Sequence, residues 1–175
     1  MALWKKAAVV LSSVMGASAL SASAEKANTK VTAVSQIEGS EVSGTVTFTQ
    51  EFYSANTQIS VDLKGLKPNE KHGFSVKKGS DPKDPGETYN PFAKKHGGPS
   101  GVERKVGDLG NVQADDQGHC KDNLSDPFIK LSGPYSVVGR TAAVHEYPDD
   151  LGYGRKDYSL TTGGVGNVVA AGLIQ

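Results

Sequence analysis

Alternation of apolar and polar residues with a period of two dominates this chain. Val42, Gly44, Val46 and Phe48 interleave with Ser43, Thr45, Thr47 and Thr49, which gives an extended segment one apolar and one threonine-rich face. Ile59, Val61 and Leu63 alternate with Ser60, Asp62 and Lys64 in the same way. Residues 31–37, 74–77, 128–131, 137–145 and 168–174 are further predicted strands, and no segment keeps a helical period over three turns. Turn signals part these runs at Glu38-Gly39-Ser40, Lys67-Pro68-Asn69, Asp115-Asp116-Gln117-Gly118 and Ser132-Gly133-Pro134. Residues 78–110 and 146–167 lack a strand pattern and are rich in Gly, Pro, Asp and Lys. Loops of that length inside a compact domain are commonly functional or disordered. The pattern predicts an all-β antiparallel sandwich or barrel carrying two long loops.

A chain of 175 residues suits one domain plus a processing segment. Residues 1–24 read as a secretory signal peptide. Lys5 and Lys6 form its charged start, an apolar stretch of small residues follows over 7–20, and Ala22-Ser23-Ala24 makes an A-x-A cleavage site. The stretch is too short and too interrupted by serine and glycine for a membrane span. The expectation is a secreted, extracellular domain over residues 25–175.

Without Lys5 and Lys6, the 19 basic side chains fall to 17 against 19 acidic ones. That balance leaves no clustered basic face for nucleic acid, and nothing in the domain points to a membrane. Cys120 is the only cysteine, so no intrachain disulfide can form. It is either a thiol that pairs outside its own chain or a half-buried strand residue without a role. Asn123-Leu124-Ser125 makes Asn123 a candidate glycosylation site.

Four segments carry a family resemblance: Gly65-Leu66 with His72-Gly73-Phe74, His96-Gly97-Gly98-Pro99, Gly107-Asp108-Leu109-Gly110-Asn111, and Val144-His145-Glu146. In this order and spacing the chain resembles the copper/zinc superoxide dismutase family from about Lys30 to Ile174. The resemblance implies a Greek-key β-sandwich or barrel of about eight strands. It also implies where metal ligands would stand. The two copper histidines of the strand after His-Gly-Phe fall on Ser75 and Lys77, and the bridging histidine falls on Thr88. The fourth copper ligand matches His145. Of the zinc ligands, His96 and Asp108 are present and the third falls on Lys105. Asp149 matches the aspartate that orients ligands of both metals, and the active-site arginine falls on Val168.

One copper ligand of four does not make a redox copper centre. His96 and Asp108 are two donors where zinc needs three or four. The expectation drawn from these losses is a secreted, catalytically inactive relative with a structural, carrier or interaction role. No copper or zinc is expected beyond weak metal binding, and the partner is an unknown protein or small ligand. The alternative is an extracellular superoxide dismutase or metal-binding protein with a degenerate metal site. The second family cysteine falls on Ala171 and the chain ends at Gln175, which places the family's homodimer in doubt. For the buried carboxylates two readings stay open: a lysine ammonium (Lys77 or Lys105) replaces the metal charge, or the loops open and all charges are solvated. His72 reads as a structural histidine bonded to backbone.

Overall fold

The computed structural model describes residues 30–51 and 54–175. The expected signal peptide, 1–24, lies outside the described residues. Eight strands follow in chain order: β1 (Lys30–Gly39), β2 (Ser43–Glu51), β3 (Thr57–Lys64), β4 (Lys71–Lys77), β5 (Asp108–Gln113), β6 (Cys120–Asp126), β7 (Thr141–His145) and β8 (Val168–Leu173). They form one antiparallel sheet in the order β5-β4-β7-β8-β1-β2-β3-β6. The two end strands, β5 and β6, lie against each other without a ladder, so the sheet curls into a nearly closed barrel. Pairings between strands distant in sequence, β3 with β6 and β4 with β7, give the Greek-key crossings. No helix among the described residues is long and apolar enough to cross a membrane.

Alternation translates directly into burial along β3, where Thr57, Ile59, Val61 and Leu63 point inward and their neighbours outward. Phe48, Ile59, Phe74, Val76, Val112 and Ile174 are fully enclosed and fill the barrel. Burying side chains of this kind contributes roughly 1.5–3 kcal/mol each. Two strands escaped the sequence pattern. β5 and β6 carry Asp, Asn, Gly and Lys at most positions, and their extended state follows from the ladders to β4 and β3. Conversely, residues 128–131 are irregular: Ile129 and Leu131 enter the core from a loop. The segment 137–145 is extended only from Thr141, because a turn with Gly139 at φ 82° precedes it. Cys120 is enclosed on β6 opposite Leu63, which excludes pairing of this thiol with another chain while the barrel is intact.

The long connection from β4 to β5 is pinned at its far end by a buried ion pair. Arg104 Nη2 donates to Asp126 Oδ2, Nη1 donates to the Asp108 carbonyl at 2.8 Å, and the guanidinium lies 4.4 Å from the Phe128 ring centre. Asp126 Oδ1 in turn accepts the N–H groups of Phe128 and Ile129 at 2.7 and 2.9 Å. A buried pair of this sort is costly to break from one side, because the remaining charge is stranded. Arg104→Ala is therefore expected to lower stability by roughly 3–5 kcal/mol. Urea unfolding checks this, with a shifted midpoint and an unchanged slope.

Candidate metal centre

The residues named by the resemblance converge on one side of the barrel, under the two long loops. β4 contributes Ser75 and Lys77, two positions apart and so on one face. β7 contributes His145, and β5 begins with Asp108. The first loop supplies Thr88, His96 and Lys105, and the second supplies Asp149. The side chains sort into two networks.

His96 is the centre of the first. Its Nδ1 lies 3.0 Å from Asp108 Oδ1 and its Nε2 lies 2.8 Å from Asp149 Oδ1, with all three residues buried. Asp108 Oδ2 accepts the backbone N–H of Gly97 at 3.2 Å and of Lys105 at 2.9 Å. Asp149 is fixed by Leu151 N–H at 2.7 Å and by the Asn111 side chain, which accepts from Asp149 N–H and donates to its carbonyl. Burial by itself pulls the imidazole pKa down. The hydrogen bonds and charges of Asp108 and Asp149 together outweigh it and raise His96 to about 9. His96 is thus an imidazolium donating to two carboxylates at neutral pH. Gly163, at φ 70°, lies against this pair, and a Cβ there would collide with Asp149 Oδ1 and His96 Nε2.

Neither reading of the buried carboxylates survives unchanged. The neutralising cation is His96, and Lys105 Nζ instead donates to the Thr161 carbonyl at 2.7 Å. The roles of Asn111 and Gly163 were missed because their partners lie far along the chain. Asn111 stood inside the Gly107-Asp108-Leu109-Gly110-Asn111 motif, and Gly163 lies in a glycine-rich turn whose composition does not show which side chains it must pass.

The second network surrounds His145. Its Nε2 lies 3.0 Å from Ser75 Oγ, while Nδ1 is enclosed and faces the backbone of Gly166 and Asn167 without a well-formed hydrogen bond. Burial, then the charge of Lys77, push the imidazole down to about 3, so it is neutral. Lys77 is buried and donates only at 3.4 Å, to Thr88 Oγ1. Burial first, then repulsion by Lys105, lower it to about 8 against the pull of Asp108. Val168 pairs with His145 across β7 and β8 and brings no charge. His72 Nδ1 bonds the His145 carbonyl at 2.8 Å, the structural role expected of it.

The donor chemistry does not fit the family's metals. Copper would find one imidazole, a serine hydroxyl and an ammonium, where several imidazoles are needed. On the zinc side Nδ1 of His96 and Asp108 are two donors, and the third position is a lysine turned away. His96, Asp149 and Asp150 also come within 4.8 Å of one another. There, however, Asp150 Oδ1 accepts Gly152 N–H and Ser159 Oγ–H, and Asp149 already accepts from His96.

These two imidazoles give stability opposite pH dependences. For His96 the folded protein holds the proton more tightly than the unfolded chain. That stabilisation is complete below pH 6.5 and is lost as pH rises through about 9. His145 is held neutral, so its contribution is present above pH 6.5 and lost as pH falls towards about 3. Urea unfolding from pH 4 to 8 is expected to show a maximum near neutrality, with a decline between pH 6.5 and 8 of about 1.4 kcal/mol per pH unit at most; above pH 8 Lys77, whose proton the folded protein holds less tightly than the unfolded chain, works in the opposite sense. His96→Gln should abolish the decline between pH 6.5 and 8 and leave the acid limb in place.

A sequence model of the family described as copper/zinc superoxide dismutase (SODC) matches residues 42–174. The "Superoxide dismutase [Cu-Zn]" of Yarrowia lipolytica is 46% identical over 149 residues, covering 82% of this chain and 97% of its own. That of Cordyceps militaris is 45% identical with the same coverage. That of Paramecium bursaria Chlorella virus 1 is 44% identical, covering 82% of this chain and 78% of its own. Among solved structures, the "clock protein EA4" superposes with a TM-score of 0.78 at 35% identity, covering 83% of this chain and 94% of that one. These findings correct the expectation of an inactive relative that is not an enzyme and has no use for copper or zinc. That expectation weighed a handful of ligand positions, whereas the relationship to proteins named as copper-zinc enzymes runs through the whole domain. The chain belongs to the copper/zinc superoxide dismutase family.

Proposed function

We propose that this protein acts on superoxide as a member of its family. The observation that carries this reading is 43–46% identity over most of the chain to proteins named as copper-zinc superoxide dismutases. The site supports the substrate side of it. A cleft of about 1010 Å³ leads to His145 and is lined by Lys77, Lys94, Lys95 and Lys105. A concave surface with an excess of positive charge concentrates small anions and speeds their arrival. The family's metals supply the electron exchange that dismutation requires. The donor set here does not reproduce their coordination. The chain's own residues draw the anion inward, hold His145 neutral with its Nε2 against Ser75, and lock the loops through His96.

The same reading includes export through residues 1–24. A glycan at Asn123 suits it, because that residue is exposed on the outer face of β6.

Two measurements test the proposal together: metal content of the purified protein by mass spectrometry, and superoxide decay followed directly after pulse radiolysis. Decay accelerated by the copper- and zinc-loaded protein, abolished by chelator and slowed by added salt, is the expected result. Decay no faster than in a protein-free control with the same metals would sink it.

A further inference from the structure

The cleft carries an excess of positive charge. Four lysines face one carboxylate, Glu87. Lys77 is 7% exposed and forms part of the floor. Among the described residues, neither Lys77 nor Lys105 makes an ion pair with a carboxylate. Asp108, the acid whose charge reaches Lys77, has its oxygens committed to His96, Gly97 and the Lys105 backbone. A buried ammonium without an anion is costly, and a second ammonium nearby adds repulsion. Lys77 Nζ and Thr88 Oγ1 lie 3.4 Å apart, and Lys105, whose Nζ donates one hydrogen bond to the Thr161 carbonyl and has further N–H groups to offer, lines the same cleft; all three groups can donate hydrogen bonds.

We propose that this cleft binds the phosphate group of a small phosphorylated molecule, seated between Lys77, Thr88 and Lys105. A phosphate monoester carries roughly −1.5 to −2 charges at neutral pH, which matches two ammonium groups. Lysine serves such a group as a compact charge, and the threonine hydroxyl adds a directional donor. The cleft is larger than a bare ion needs, and Tyr158, Leu160 and Val168, which also line it, offer apolar surface for the body of the molecule. The inference goes beyond the superoxide reading and stands without a metal.

Calorimetric titration of the metal-free full chain at low salt tests it, with phenyl phosphate and inorganic phosphate as probes. Phenyl phosphate is expected to bind saturably at one site and more tightly than inorganic phosphate. Lys77→Met and Lys105→Met should each weaken it by roughly tenfold or more, the scale of a charge-assisted contact. Lys64→Gln, on a strand away from the cleft, should leave it within about twofold. Lys105 is half-exposed, so its variant keeps the test open even where Lys77→Met fails to fold. Absence of saturable binding, or equal weakening by all the lysine variants, would overturn the site. Tighter binding of inorganic phosphate would overturn the seat for an organic body and assign free phosphate. Superoxide decay is not read here, so failure of either proposal leaves the other standing.

Discussion

The arrangement of the loop side of this protein depends on one imidazolium held between two carboxylates. His96 comes from the first long loop, Asp108 from the start of β5 and Asp149 from the second long loop, so a single ring joins three separated stretches of chain. Each carboxylate also accepts backbone N–H groups, which fixes the local turns around it. Two buried carboxylates would otherwise repel each other and lose their hydration. With a doubly donating cation between them the same groups become a clamp. Gly163 completes it, since only a residue without a Cβ allows the second loop to pass this close.

The rest of the site follows from where that cation stands. Because His96 satisfies the acids, the lysines are released from neutralising them. Lys105 reaches the second loop's backbone and Lys77 remains enclosed without a counter-ion. The charge of the cleft is thereby inverted relative to a site of anionic ligands awaiting cations. His145 responds to this field and stays neutral. On the opposite flank Arg104 and Asp126 do for the barrel seam what His96 does for the loops, tying the start of β5 to the end of β6 where no ladder joins them.

Much of this was legible in the sequence, and the parts that were not share a cause. The period of two in β2 and β3, the glycine-rich turns and the extent of the two long loops follow from local residue pattern. The positions of Ser75, Lys77, Thr88, His96, Lys105, Asp108, His145 and Asp149 at one site followed from the motifs. β5 and β6 were hidden, because a polar strand is made extended by its ladder partner and not by its own residues. The weight placed on lost ligand positions also led away from the family's enzymatic character, which the relationship over the whole domain restores.

The sequence by itself determined the class of fold, the loop-borne site and the residue types available there. Tertiary structure decided which cation meets which anion. Charge pairing depends on distances of a few ångströms between residues 12 and 53 positions apart, and on burial that differs between chemically similar lysines. A list of residues carries the charges but not the dielectric around them or the direction each side chain takes. Only the closed barrel with its folded loops turns His96 into the bridge and leaves Lys77 as the unpaired charge at the floor of the cleft.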